Sequence, residues 1–125
     1  ILRNIQEKEG SVPANIIVAH LGGGASITAV KDDKSFDTSM GTTPLEGLPM
    51  ATRVGNIGAG ALIQLAKSKK MNLEELNQYL NTRCGLLGLS SGKTSNVKEL
   101  FDLEEKGDKD AKLALEVFVY NIKNV

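Results

Sequence analysis

The sequence predicts an α/β fold in which a small antiparallel sheet is followed by several helices. Two patterns predict it. Short apolar stretches separated by turn residues indicate strands in the first third of the chain. Apolar residues at three- and four-residue spacing indicate helices in the second half. With 125 residues, the chain can form one domain with a hydrophobic core or part of a larger domain.

A helix and a meander of three strands are predicted first. Residues 1–9 have the pattern of the end of a helix that stops at Gly10. The three strands are predicted at Ile16–Leu21, Ser26–Val30 and Ser35–Ser39. The polar residues 31–34 predict a hairpin turn between the second and third strands, so neighbouring strands should be antiparallel.

A long loop is predicted from Met40 to Gly60. Glycine and proline occur too often in this segment for a helix or a strand to form. Loops longer than about 12–15 residues in a compact domain usually have a function. The segment is therefore one of two places in which to look for chemistry.

Helices are predicted to form the rest of the chain. The first two are predicted at Ala61–Lys70 and Leu73–Thr82, and Asn72 is placed to cap the second of them. Another helix begins at Ser95 or Asn96 and runs toward Gly107, and the last begins at Asp108 or Asp110. The charge run at 104–110 predicts a solvated corner between these two helices.

The composition is that of an ordinary globular protein, with zero net charge, 41% hydrophobic residues and 24% charged residues. This balance indicates neither a nucleic acid nor a membrane as partner. No apolar stretch approaches the ~20 residues of a membrane span. Cys84 is the single cysteine, which favours a reducing, cytoplasmic location. Because the chain starts without Met and ends within a helical pattern, we expect a piece of a longer protein.

The segment His20–Ser26, which reads His-Leu-Gly-Gly-Gly-Ala-Ser, indicates most about function. Successive glycines let main-chain N–H groups approach a ligand, an arrangement suited to a polyphosphate. The same glycines are equally compatible with a plain hairpin turn. A dinucleotide-binding motif is disfavoured because Ile27 stands where its third glycine should be. A P-loop at Gly92 is disfavoured because Leu87 stands at the first glycine position.

Two cationic or ionisable side chains accompany these glycines. His20 is the only histidine of the chain, and a structural role is the alternative to phosphate binding. Arg53 lies in the glycine-rich loop, where its guanidinium would suit a transferring phosphoryl group. A surface cation is the alternative for Arg53, and the spacing alone does not choose between the two.

Six segments, in this order, resemble the central part of the acetate kinase family. They are His20–Ser26, Asp37–Gly41, Thr43–Gly47, Thr52–Arg53, Gly85–Ser90 and Ala111–Leu115. The resemblance implies an actin-like ATPase (ribonuclease H-like) fold. Residues 1–125 would then be part of the nucleotide-binding domain of a longer two-domain kinase.

The resemblance also implies four groups of site residues around one cleft. The groups are His20, Leu21, Gly22, Gly23 and Gly24 for the ATP phosphates, Arg53 as the catalytic cation, Pro44 for the acetyl methyl group, and Asn96, Val97 and Lys98 for the adenosine. The implied reaction transfers the γ-phosphoryl group of ATP to acetate and gives acetyl phosphate and ADP. It would need Mg²⁺, whose ligands would lie outside this chain, and the full-length protein would be a homodimer.

The sequence departs from the family pattern in three places. Gly23 replaces an asparagine, and residues 54–59 lack two carboxylates and a proline, so we expect Arg53 to be held less firmly. Asn96 replaces an aspartate and Lys98 an arginine, which weakens the ribose acceptor and turns a planar cation into a flexible point charge.

Two alternatives to an acetate kinase stay open. A related carboxylate kinase, for propionate or butyrate, would share the phosphate site and differ around Pro44. A non-catalytic actin-like module that binds nucleotide is favoured by the departures at residues 54–59. The isolated chain should in any case have little turnover, because phosphoryl transfer relies on a metal and several converging cations.

Overall fold

A computed structural model describes residues 1–125 as three strands and six helices. Helix α1 spans Leu2–Glu9, and strands β1, β2 and β3 span Asn15–Leu21, Ala25–Lys31 and Lys34–Thr38. Helices α2 to α6 span Ala59–Lys69, Leu73–Thr82, Gly85–Leu89, Val97–Glu105 and Lys109–Lys123. The predicted order, an antiparallel sheet followed by helices, is confirmed. No helix is both long and apolar enough to cross a membrane.

The sheet has the strand order β1-β2-β3, and both pairs of neighbours are antiparallel. The pair Leu21 and Ala25 closes the first hairpin, so its turn consists of the three glycines. The second hairpin turns at Asp32 and Asp33, whose φ angles are 48° and 62°. Positive φ at both central residues is the conformation that a two-residue hairpin turn requires. The predicted turn at 31–34 is therefore confirmed.

The predicted loop is also confirmed, because no helix or strand lies between Thr38 and Ala59. Its middle is closed by a reciprocal pair of hydrogen bonds. The Gly47 N–H donates to Asn56 Oδ1, and the Asn56 N–H donates to the Gly47 carbonyl, both at 2.9 Å. Gly55 has a φ of 73°, and a Cβ there would lie 2.6 Å from the Leu48 carbonyl carbon, so this position requires glycine.

Side-chain caps start three of the helices. Asn72 and Glu75 form a capping box at α3, as the spacing predicts. Where the sequence left two candidates, the structure selects Asn96 as the cap of α5 and Asp108 as the cap of α6. Helix α2 begins two residues before the predicted Ala61, after Gly58, and has no side-chain cap.

The short helix α4 was not predicted, because its sequence Gly-Leu-Leu-Gly-Leu has poor helix propensity. Tertiary contacts form it. The N–H groups of Leu86 and Leu87 donate to the carbonyls of Met50 and Ala51 at 2.8 and 3.0 Å. Leu86 is buried in the core. At Gly85 (φ 60°), a Cβ would lie 2.1 Å from the Met50 carbonyl oxygen.

The core lies between the long loop and helices α4, α5 and α6. Its nine members are Ala25, Leu48, Met50, Leu86, Leu100, Ala111, Ala114, Leu115 and Phe118. Only Ala25 belongs to a strand. On the sheet, Ile17 and Phe36 are 76% and 74% exposed. The first hairpin turn thus projects from a thin sheet toward a packed helical body.

Candidate phosphate-binding site

The glycine turn leaves two main-chain donors without a partner. The Gly22 N–H donates to the Gly24 carbonyl at 3.0 Å, and the Gly23 carbonyl accepts from the Ala51 N–H at 3.2 Å. The N–H groups of Gly23 and Gly24 have no acceptor within the chain. The glycines therefore form a hairpin turn and also offer N–H groups to a ligand, so the two interpretations of this motif are compatible.

His20 lies over this turn. Its Nε2 atom is 3.3 Å from the position that a Cβ would take on Gly22. The side chain is exposed and makes no hydrogen bond within the chain, so both ring nitrogens are available to a ligand. Leu21, the next residue, is 52% exposed and lines the cleft described below.

The guanidinium of Arg53 lies beside the same turn. Its Nη1 atom is 3.7 Å from the position that a Cβ would take on Gly24, and it donates to Met50 Sδ at 3.9 Å. Arg53 is half-buried and pairs with no carboxylate. A half-buried cation without a counter-charge, next to free N–H donors, favours an anionic ligand.

The backbone on both sides of Arg53 is bonded to the end of α3. Thr52 Oγ1 donates to the Asn81 carbonyl at 2.8 Å, and the Val54 N–H donates to the Leu80 carbonyl at 3.0 Å. The expectation that Arg53 is held less firmly than in the family stays a prediction, and these two bonds hold its backbone in this chain. The amide oxygen of Asn56 makes the bond to Gly47 that closes the loop, without a carboxylate.

A cleft of about 460 Å³ joins the glycine turn to the start of α5. Its walls come from the first hairpin, the long loop, α4, the start of α5 and α6. The lining residues are Leu21, Gly22, Gly23, Met50, Ala51, Leu86, Ser95, Asn96, Val97 and Phe118. The fold thus brings together glycine-turn and adenosine-side residues that are more than seventy positions apart in the sequence.

Asn96 both lines this cleft and caps α5. Its Oδ1 accepts from the N–H groups of Lys98 and Glu99, at 2.9 and 3.3 Å, and so caps α5. The carbonyl oxygen is therefore engaged, and the expected weak ribose acceptor is instead an amide that has only its N–H donors free. Val97 is half-buried against the core, whereas Lys98 is exposed and does not line the cleft.

Pro44 lies outside this cleft and is exposed. The segment around it is closed by Glu46, whose Oε1 accepts from the hydroxyls of Thr42 and Thr43 at 3.0 and 3.3 Å. The bond from Thr42 is the main reason why the pKa of Glu46 is lowered. Within this chain, the glycine turn and the adenosine-side group both line one cleft. Arg53 lies beside Gly24 without lining the cleft, and Pro44 lies at neither place.

Lys93 makes contacts that sequence reasoning missed. Its Nζ donates to both carboxylate oxygens of Asp108, at 2.8 and 2.6 Å, and to Asp110 Oδ2 at 3.0 Å. These bonds raise the pKa of Lys93 and lower the pKa of each aspartate. The sequence predicted a solvated corner at 104–110. The corner is present between α5 and α6, but two of its aspartates are bonded to Lys93, which the prediction did not include. A lysine fifteen residues before its partner gave no local signal.

No group of three or more His, Cys, Asp or Glu side chains could hold a metal ion. Mg²⁺ requires several oxygen ligands in near-octahedral geometry, which it often takes partly from substrate phosphates and water. The residues of this chain therefore do not form a magnesium site by themselves.

Comparison with known proteins identifies the class to which this fold and cleft belong. An acetate kinase of Acetivibrio thermocellus is 48% identical over 108 residues, which are 86% of this chain and 27% of that protein. The crystal structure of Porphyromonas gingivalis acetate kinase matches with a TM-score of 0.90 and 36% identity, over 98% of this chain and 31% of that one. A propionate kinase from Francisella tularensis matches with a TM-score of 0.87 and 42% identity, over 97% and 31%.

These relatives are kinases of small carboxylic acids. The family description "Acetokinase family" matches residues 4–125, and the chain belongs to this family. It spans less than a third of the length of these relatives. The resemblance predicted from the sequence motifs is thereby confirmed.

Proposed function

We propose that this chain is part of an acetate kinase, which transfers the γ-phosphoryl group of ATP to acetate in a reversible reaction. The observation that carries the proposal is the half-buried, unpaired guanidinium of Arg53 beside the free N–H groups of Gly23 and Gly24. Donors already fixed around an anion site stabilise developing charge without reorganisation. The membership of the acetokinase family supports the choice of acetate as acceptor.

Each group has a distinct role in this proposal. The N–H groups of the glycine turn and the imidazole of His20 bind the phosphates of ATP. Arg53 neutralises the charge that spreads over the equatorial oxygens of the phosphoryl group as it transfers. Residues 96–98 form part of the adenosine site, and the cleft between them and the glycine turn takes the nucleotide.

The remaining components come from outside the chain. Mg²⁺ supplies further charge neutralisation at the phosphates, with protein ligands elsewhere in a longer protein. Residues 1–125 would form part of the actin-like nucleotide-binding domain of a two-domain kinase. That kinase would be a cytoplasmic homodimer, and in it Pro44 would lie at the acetyl methyl group.

The test is an assay of the full-length protein that contains this chain. We expect ADP release from ATP and Mg²⁺ that depends on acetate and yields acetyl phosphate. Acetate-independent ADP release, or none, would contradict the proposal. The same assay on the isolated chain should give little turnover, since most of the converging charges are missing.

A propionate kinase is the second candidate, because a propionate kinase is among the matching structures. The two differ in the size of the acyl pocket. Comparing kcat/KM of the full-length protein for acetate, propionate and butyrate separates them, since one methylene in an apolar pocket changes kcat/KM by about 10- to 200-fold.

A non-catalytic nucleotide-binding module is the third candidate, and the neutral residues at 54–59 favour it. Calorimetry with ATP and Mg²⁺ separates it from a kinase. Tight binding without acetate-dependent ADP release would favour the module. The hydrogen bond from Gly47 to Asn56 weighs against it, since the loop that carries Arg53 is closed without those carboxylates.

A further inference from the structure

We propose that Lys93 is a positioning residue for the adenosine side of the cleft. It joins the segment 91–96, which precedes α5, to the first turn of α6. The inference rests on the proposed function, since it takes a nucleotide as the occupant of the cleft.

The segment that Lys93 holds leads directly into the cleft wall. Its chain reverses at Ser91 and Gly92, which both have positive φ angles, 57° and 79°. The fully buried Ser90 donates from Oγ to the Thr94 carbonyl at 2.8 Å. Thr94 Oγ1 in turn accepts from the Asn96 N–H at 3.0 Å. A displacement of the segment is therefore passed along hydrogen bonds to Asn96.

The other end of the contact is a helix that packs in the core. Helix α6 buries Ala111, Ala114, Leu115 and Phe118, and Phe118 also lines the cleft. Asp108 both caps α6 and accepts from Lys93, so the lysine is bonded to the first turn of a helix that packs in the core. Lys93 thereby sets the position of the wall formed by residues 95–97 relative to α6, which contributes Phe118 to the cleft.

The exposure of these side chains decides which property Lys93 should affect. Lys93 and Asp108 are 37% and 22% exposed, and exposed ion pairs contribute little to folding stability. A positioning role shows instead in the affinity for the nucleotide. The contacts of Lys93 do not extend to Pro44, where the proposal places acetate, so a change at Lys93 should leave the KM for acetate unchanged.

The experiment compares variants of the full-length protein. We expect Lys93→Met to raise the KM for ATP about fivefold, the size of effect that one partly exposed ion pair can produce. The kcat and the KM for acetate should stay within twofold, and Lys93→Arg should recover most of the change. The matched control is Lys112→Met, which breaks the exposed pair with Glu116 on α6 and should change nothing.

Several outcomes would overturn the role of Lys93. They are an unchanged KM for ATP in Lys93→Met, an equal rise in the KM for acetate, or a rise that Lys112→Met reproduces. If Lys93→Met does not fold, Asp110→Asn removes one acceptor, leaves the Asp108 cap in place, and should give a smaller rise in the KM for ATP.

Failure of the proposed function is distinguishable from failure of this inference. If the unmodified protein shows no acetate-dependent ADP release, the function fails. Calorimetry with ATP and Mg²⁺ then compares the same variants, where weaker binding by Lys93→Met supports the positioning role and equal Kd values overturn it.

Discussion

The sheet and the helical body supply different kinds of group to the candidate phosphate site and the cleft next to it. The sheet supplies main-chain N–H groups at a hairpin turn, and β-strand register is enough to place them. The helical body supplies side chains, Arg53 and Asn96, which lie on segments bonded to helix ends and to the core. Main-chain donors need only a turn, whereas a guanidinium must be held in place by packed neighbours.

The largest expected effect comes from the side-chain half of this comparison. In the full-length protein, Arg53→Ala should lower kcat by about 10²–10³-fold, because its charge is needed most as the phosphoryl group transfers. The KM for ATP should change little, since the glycine turn still binds the phosphates. Steady-state kinetics measures both.

Arg83→Ala is the matched control for Arg53→Ala. Arg83 is exposed at the end of α3 and makes no side-chain hydrogen bond or ion pair, so its removal should leave kcat unchanged. An undiminished kcat in Arg53→Ala would exclude the proposed role of Arg53.

A second prediction compares the loss of a buried side chain in the helical body with the loss of an exposed one on the sheet. Leu100→Ala should reduce the free energy of unfolding by about 2–5 kcal/mol, because Leu100 is fully buried among α4, α5 and α6. Ile17→Ala on the sheet should cost less than about 0.5 kcal/mol, because Ile17 is 76% exposed. Urea unfolding of this chain measures both. Equal losses would show that the sheet has packing partners comparable with those of the core.

A third prediction separates folding from binding at the glycine turn. A Cβ on Gly24 would lie 3.7 Å from Arg53 Nη1, an ordinary van der Waals distance, so Gly24→Ala should leave the melting temperature unchanged. The methyl group would lie between the turn and the guanidinium, where the proposal places a phosphate, so the KM for ATP should rise several-fold. Its control is Gly60→Ala in α2, which is open to solvent, should stabilise by about 0.5–1 kcal/mol and should leave the KM for ATP unchanged. An unaltered KM for ATP would argue against phosphate binding at this turn.

The smallest expected effect is at the uncapped start of α2. Gly58→Asp should stabilise the protein by about 0.3 kcal/mol, since an aspartate there can accept from the first N–H groups of the helix. Thermal unfolding measures it. Stabilisation of more than about 2 kcal/mol would mean that α2 limits the stability of the chain, contrary to its lack of buried residues.

Sequence patterns predicted the parts of the fold that depend on neighbouring residues. The meander, the long loop and the cap at Asn72 are of this kind, because turn and capping residues act within a few positions. Helix α4 was missed because its stability comes from hydrogen bonds to Met50 and Ala51, more than thirty positions earlier.

The same distinction applies to the site. The glycine turn and Arg53 were recognised from local chemistry, and their roles stay predictions until they are tested. The pairing of Lys93 with Asp108 and Asp110 depends on a chain reversal at Ser91 and Gly92, which no periodicity indicates. The capping bond of Asn96 was foreseen as one of two possibilities, but its consequence for the ribose acceptor was not.

The 3.2 Å bond from the Ala51 N–H to the Gly23 carbonyl has an evolutionary consequence. Both atoms belong to peptide groups, so exchange of either side chain leaves the link intact, and only proline at position 51 would abolish it. Sequences in this lineage are therefore free to drift at both positions while the hairpin tip and the arginine-bearing segment keep their mutual spacing.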